Sequence, residues 1–349
     1  MGLETLTTIR LTPLQIGIIA AVGVAGLIGW LTIPKALKFD PRGTIDLSGK
    51  VVLITGGSAG IGKVNVRQFA ELGAKVYVIA RNRDKTERVI EEIKARTGNK
   101  NIFFINGDLD KLETISAAAK EFLAKESKLH ILVCNAGSGG RNKNWTSNGF
   151  EVLFGQNYLA HFLLTIRLLD CLKTTANSLK NTPGAVRIVN VSSAISARGA
   201  SLIDFTSLVQ KNNDPNDIEP FFTTDFSSYG RSKLCQVLST IKLSQVLKDS
   251  GISAYSLHPG VVASDIWNIA LDRVGIQAAF IFTLKSFVMI TEEQGSLTTL
   301  YCSVSKNVAN QSGLYYSKCT VRENKNKAIK NQAQIDELWE KSMEWIKNY

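Results

Sequence analysis

The apolar run Val51-Val52-Leu53-Ile54-Thr55 passes without a break into Gly56-Gly57-Ser58-Ala59-Gly60-Ile61-Gly62, and a helix-period segment follows over Gly62–Leu72. A strand that turns through glycines straight into a helix marks the opening βα unit of a parallel sheet. Glycine lets the backbone bend sharply and approach a phosphate, and the helix N-terminus adds free N–H donors and positive potential.

Five further strand-like runs follow at Lys75–Ala80, Ile102–Asn106, Ile131–Cys134, Val186–Val191 and Ser253–Leu257. Helix-period segments lie between them, around Lys85–Arg96, Leu112–Ala124, Phe150–Thr174 and Ser232–Leu247. This alternation predicts an α/β fold, a Rossmann-type doubly wound parallel sheet. No internal repeat or low-complexity tract interrupts it, so residues 47–320 are expected to form a single domain. The final segment, 321–349, reads as an amphipathic helix with Ile335, Leu338, Trp339 and Ile346 near one face.

A second composition shift lies at the N-terminus. After a short tail, 1–13, the stretch Leu14–Ile33 carries no charge, and its length matches the ~20 apolar residues of a spanning helix. The expectation is a domain preceded by an N-terminal transmembrane helix and a linker over 34–46. Lys35, Lys38 and Arg42 follow the apolar stretch and only Arg10 precedes it, which places the bulk of the chain on the cytosolic side. A single-pass protein of the endoplasmic reticulum or a related membrane is the localisation this implies.

Several function classes are disfavoured. The formal net charge is +11, but the basic residues are scattered and no basic block interleaved with aromatics suggests nucleic acid. The five cysteines, Cys134, Cys171, Cys235, Cys302 and Cys319, form no CxxC pair and no Cys/His cluster, so neither a disulfide framework nor a metal site is expected. His130, His161 and His258 are unclustered and read as core or surface residues rather than ligands.

The cofactor candidates sit where strands end. Gly56, Ser58, Gly60, Ile61 and Gly62 form the phosphate loop. The second strand ends without the acidic residue that would receive a ribose 2′-hydroxyl and runs instead into Arg81-Asn82-Arg83. An acid would repel a 2′-phosphate and Arg81 can grip it, so the pattern selects NADP(H) over NAD(H). Asp108 and Leu109 after the third strand suit an adenine contact or, equally, a helix cap. Asn135, Ala136 and Gly137 after the fourth are ambiguous alone, but all these loops lie at carboxyl ends of strands, where such sheets bind ligands.

Tyr229 and Lys233, four residues apart, share one helical face. A phenol is a poor base at neutral pH unless a neighbouring cation favours its phenolate, which an ammonium and a cationic nicotinamide both do.

Taken in order, TGGSAGIG from Thr55, NAG from Asn135, NVSS from Asn190, YGRSK from Tyr229 and HPG from His258 resemble the short-chain dehydrogenase/reductase superfamily over about residues 47–320. The resemblance implies that Tyr229 is the general acid/base and that Lys233 holds the nicotinamide ribose and tunes Tyr229. It implies further that Ser193 hydrogen-bonds the substrate oxygen and Asn157 organises a water relay to Lys233. Pro259, Gly260 and Ser264 join the cofactor-binding set, with the Ser264 hydroxyl standing where threonine is common. Cys134 replaces the usual asparagine before NAG, a change in strand packing.

The N-terminal apolar stretch, Gly149–Thr165 and the long Ser193-to-Tyr229 interval with Leu202–Leu208 are similar to the retinol dehydrogenase branch. That branch implies retinoid, steroid, isoprenoid or other lipid alcohols and aldehydes as substrates. The apolar run Ile276–Ile290 after His258-Pro259-Gly260 is expected to serve as a substrate lid or as core. The partners expected are an apolar small molecule and a membrane, with homodimerisation left open and nucleic acid excluded. A non-catalytic membrane-held nucleotide-binding scaffold and a general carbonyl-detoxifying reductase are the alternatives.

Overall fold

In β1 (Val51–Thr55), Val51 and Leu53 pack into one apolar cluster while Val52 and Ile54 pack into another. Burial on both faces is what a central parallel strand requires, and it explains a continuous apolar run rather than an alternating one. The computed structural model describes residues 39–139, 145–210, 225–262 and 290–349. Its eight-stranded sheet also contains β2 (Lys75–Ala80), β3 (Ile102–Asn106), β4 (Ile131–Cys134), β5 (Val186–Val191), β6 (Ile252–His258), β7 (Tyr315–Ser317) and β8 (Thr320–Val321). The order is β3-β2-β1-β4-β5-β6-β7-β8, parallel as far as β7, with β8 antiparallel at the edge. The direction of winding reverses between β1 and β4, and the crevice at their carboxyl ends is where such a sheet takes a ligand.

Helices cover both faces. On one, α1 (Gly60–Glu71) and α2 (Arg83–Thr97) bury Val66, Phe69, Ile90 and Ile93. On the other, α3 (Leu112–Lys125), α4 (Val152–Ser178) and α5 (Asp225–Val246) bury Phe122, Phe154, Leu163, Leu234 and Leu238. Near the end of the chain, α6 (Glu292–Val304) returns to the first face through Leu300, and α7 (Gln332–Ile346) joins the second through Ile335 and Leu338. Trp339 of α7 meets Phe162 edge-on at 5.0 Å between ring centroids. The C-terminal helix therefore packs on the domain, as its apolar face dictates.

One expectation is corrected. Among the described residues, the helix long and apolar enough to cross a membrane is α4, Val152–Ser178, in the middle of the chain rather than at its start, and 78% of its apolar window is buried within the protein. It lies among the α3, α5 and α7 side chains in the core, and a core helix covered on most sides has the length and apolarity of a span. Over the described residues the fold is thus a doubly wound α/β domain whose membrane-length helix is internal. The stretch Leu14–Ile33 on which that expectation rested lies outside the described residues.

Candidate functional site

The loop after β1 is shaped by two glycines. Gly56 takes φ +72°, and a Cβ there would lie 2.8 Å from the Ala136 Cβ. A Cβ on Gly62 would run into the Gly56 carbonyl oxygen. The turn therefore closes more tightly than any side chain permits. At its end α1 has Ala59 as N-cap, with no side-chain bond to its first N–H groups and no acid in its first turn. Those donors and the positive end of the helix remain for an anion, and the cradle fits a dinucleotide pyrophosphate. Ser58, Gly60 and Ile61 are partly exposed along its open side.

Thr55, buried at the end of β1, fastens this loop to the one after β4. Its Oγ1 accepts from the Asn135 and Ala136 N–H groups, both at 3.0 Å, and meets His161 Nε2 at 2.9 Å. The other imidazole nitrogen, Nδ1, lies 3.0 Å from the Asn157 carbonyl oxygen, which can only accept. Nδ1 therefore carries the proton, Nε2 accepts, and the Thr55 hydroxyl donates to it. Burial holds this imidazole neutral, pulling its pKa down to about 4. His161 is a structural connector, and Tyr158 nearby is equally internal, its hydroxyl paired with Ser342 Oγ at 2.9 Å.

On the other side of the crevice α5 presents Tyr229 and Lys233. Lys233 Nζ lies 5.8 Å from the Tyr229 ring centroid and donates to the Val191 carbonyl at 2.9 Å and to Gln236 Oε1 at 3.2 Å. It is 3% exposed, and burial draws its pKa down to about 7, opposed by Cys134. Burial pushes the Tyr229 phenol up to about 12, while a hydrogen bond with the Ser193 hydroxyl draws it back. Ser193 also caps the short helix Ala194–Arg198. Gly137 makes room for the cluster, since a Cβ there would lie 3.1 Å from Asn157 Oδ1 and 3.2 Å from Lys233 Nζ.

Asn157 sits in a π-helical turn of α4, Gly155–Leu159, the kind of helix bulge that often marks functional sites. Its side chain is fully engaged: Oδ1 accepts from Ser138 N–H at 2.8 Å, and Nδ2 donates to Ser138 O at 2.9 Å and Ser232 Oγ at 3.0 Å. A glycine cradle, a buried lysine and a hydroxyl pair thus converge at the carboxyl ends of β1, β4 and β5.

The profile of the short chain dehydrogenase family matches residues 50–203. Retinol dehydrogenase 11 of Homo sapiens is 37% identical over 84% of this chain and 86% of its own length, and retinol dehydrogenase 12 of Mus musculus is 36% identical over 91% and 94%. The chain belongs to the short-chain dehydrogenase/reductase superfamily, in its retinol dehydrogenase-like branch. It is accordingly an oxidoreductase acting on CH–OH groups with a nicotinamide dinucleotide. Among solved structures, an uncharacterized protein from Mycobacterium paratuberculosis superposes with a TM-score of 0.64 at 23% identity, covering 88% of this chain and 97% of its own. The RhlG/NADP complex of Pseudomonas aeruginosa gives 0.58 at 21%, covering 77% and 94%.

The remaining expected residues of the dehydrogenase fall as follows. Arg81 is exposed at the end of β2 and has no carboxylate partner among the described residues, whereas Arg83 is occupied by Glu87 at 2.7 Å and lies over the Phe104 ring. The Asp108 carboxylate accepts from Asp110 N–H at 3.1 Å instead of capping α3, whose N-cap is Lys111, and Leu109 beside it is partly buried. Asn135 Nδ2 donates to the Thr55 carbonyl at 2.9 Å, so its side chain braces the loop. Pro259 and Gly260 follow β6, and Gly260, at φ +104°, packs against Ile290. Ser264 and nearly all of Ile276–Ile290 lie outside the described residues.

Sequence reasoning gave no role at the site to five residues, Thr55, His161, Gln236, Asn324 and Asn326. Asn326 Nδ2 reaches Gly199 O at 2.8 Å, and Asn324 Nδ2 reaches Ser196 Oγ at 2.8 Å. The Ser196 hydroxyl in turn donates to Ser193 O at 2.6 Å. The segment after β8 thereby clamps the Ser193 loop.

Proposed function

We propose that this dehydrogenase interconverts an apolar alcohol and its aldehyde or ketone using NADP(H), with Tyr229 as proton carrier. The observation that carries the reading is the convergence of Tyr229, its hydrogen-bonded partner Ser193 and the buried Lys233 beside the Gly56–Gly62 cradle. When bound, the dinucleotide supplies or accepts the hydride. In reduction Tyr229 gives its proton to the developing alkoxide, and Ser193 donates to the same oxygen. In oxidation the phenol must ionise, and the Lys233 ammonium together with the cationic nicotinamide favours the phenolate that burial alone opposes. Lys233 spends two donors within the protein, which leaves the third for the nicotinamide ribose. Asn157, whose side chain is held by Ser138 and Ser232, is the residue assigned the water relay to this lysine.

The preference for NADP(H) rests on Arg81, an exposed guanidinium without a carboxylate partner among the described residues, a charge suited to a 2′-phosphate. An apolar substrate is favoured by the relatives, which are named for retinol, and by Leu202, exposed in the Ser193-to-Tyr229 interval. Work at a membrane surface follows from where such substrates dissolve and from the net charge of +11.

The test is turnover of purified protein on retinoid, steroid, isoprenoid and other long-chain aldehydes and alcohols with NADPH, NADP⁺ and NADH, read by product identification. The expected result is conversion of at least one lipid carbonyl with NADPH well ahead of NADH. Turnover confined to small polar carbonyls would overturn the substrate class, and dinucleotide binding without turnover would favour a scaffold.

A further inference from the structure

Tyr229, Lys233 and Gln236 stand at i, i+4 and i+7 on α5 and so share one face of the helix. Gln236 is 2% exposed, which makes an unpaired carboxamide there costly. Both of its ends are paired. Its Oε1 accepts from Lys233 Nζ at 3.2 Å, and its Nε2 donates to the Asn157 carbonyl at 2.8 Å. Neither bond can be reversed, because an ammonium only donates and a backbone carbonyl only accepts. The amide orientation is therefore fixed by chemistry, and a flipped amide would face donor to donor and acceptor to acceptor.

The same Asn157 carbonyl also accepts from His161 Nδ1 at 3.0 Å. It is a fixed post at the π-turn, held from β1 through Thr55 and His161. We propose that Gln236 is a positioning residue of the dehydrogenase, its carboxamide tethering the Lys233 ammonium to the Asn157 carbonyl so that the charge stays in place beside Tyr229. The proposal rests on the role given to Lys233 and Tyr229 above and adds a residue to it. A side-chain amide thus spans the lysine and the Asn157 backbone directly.

The titratable groups facing Lys233 are Tyr229 on its own helix, Cys134 at the end of β4 and His161 on α4. Burial keeps Cys134 a thiol, with its pKa pushed up to about 12, and His161 an uncharged imidazole. No carboxylate contributes to the Lys233 shift. The Gln236 and Val191 oxygens are then the acceptors that favour its charged form against burial. Loss of one makes the ammonium easier to deprotonate, weakens its hold on the phenolate and shifts alcohol oxidation toward higher pH.

Two variants test this in the full-length protein. Gln236→Met keeps the length and removes both bonds. It is expected to lower the oxidation kcat at neutral pH at least tenfold and move the ascending limb of its pH profile upward, with substrate KM changed less than threefold. Gln236→Glu keeps the shape. Protonated, its carboxyl reproduces both bonds, whereas the ionised form cannot donate to Asn157 O. Its profile should therefore gain a new descending limb as the carboxyl ionises, a feature that a merely structural defect would not create. Gln236→Glu also serves if Gln236→Met fails to fold. A wild-type pH profile in Gln236→Glu, or a wild-type kcat and profile in folded Gln236→Met, overturns the proposal. Wild-type protein and Tyr229→Phe are run alongside. Absence of turnover in the wild type sinks the proposed function itself, while wild-type turnover matched by both Gln236 variants sinks only the tether.

Discussion

Replacing Thr55 with Val tests the link between the phosphate loop and the interior. Valine fills nearly the same volume but removes the oxygen that accepts from Asn135 N–H and Ala136 N–H and donates to His161 Nε2. Three bonds at a net ~0.5–1.5 kcal/mol each come to about 3 kcal/mol. His161 Nε2 would also be left as a buried acceptor without a donor, which raises the cost toward about 4 kcal/mol. Thr55→Ser keeps the hydroxyl and loses one methyl group, a change of about 1 kcal/mol. Urea unfolding followed by circular dichroism gives both numbers, and NADPH titration by fluorescence reports on the loop. Thr55→Val should lose several times the stability that Thr55→Ser loses, with weakened NADPH binding. Equal stabilities for the two variants would refute the network.

Arg81→Asp should weaken NADPH binding at least tenfold more than NADH binding, since a favourable contact becomes repulsive toward the 2′-phosphate alone; parallel losses in the two titrations would remove Arg81 from cofactor choice. Burial pulls the pKa values of His130, His161 and His258 from 6.5 down to about 4. The unfolded chain therefore binds more protons between those values, and stability is lost as pH falls from 6.5 toward 4. From pH 7 to pH 5 this amounts to about 2 kcal/mol per histidine, and an unchanged urea midpoint at pH 5 would contradict the neutral buried state.

Strands β1, β4 and β5 were legible because a parallel strand buried on both faces must be a continuous apolar run, and the glycine loop because only its residue type permits the turn. The start of α5 was less so. Ser227-Ser228-Tyr229-Gly230-Arg231-Ser232 breaks the apolar period, and the helix begins at Asp225, ahead of the Tyr229–Lys233 segment expected to open it. β7 and β8 are too short to carry a period of two. The capping box of Thr291 and Gln294 at the start of α6 was a readable signal that went unused. The Thr55 to His161 bond spans 106 residues of sequence, and nothing local announces it. Gln236 was within reach through its i+7 spacing from Tyr229. Length and apolarity describe the core helix Val152–Ser178 as well as a span, so these two properties alone do not tell one from the other.

The central claim is that Tyr229 carries the proton at a site otherwise built to bind the dinucleotide. Turnover of a lipid aldehyde by Tyr229→Phe, measured beside NADPH affinity on the same preparation, tests it directly. Deletion of one hydroxyl should reduce kcat by at least a hundredfold while NADPH binding stays within a few-fold of wild type. Substantial turnover in Tyr229→Phe with NADPH bound would contradict the account.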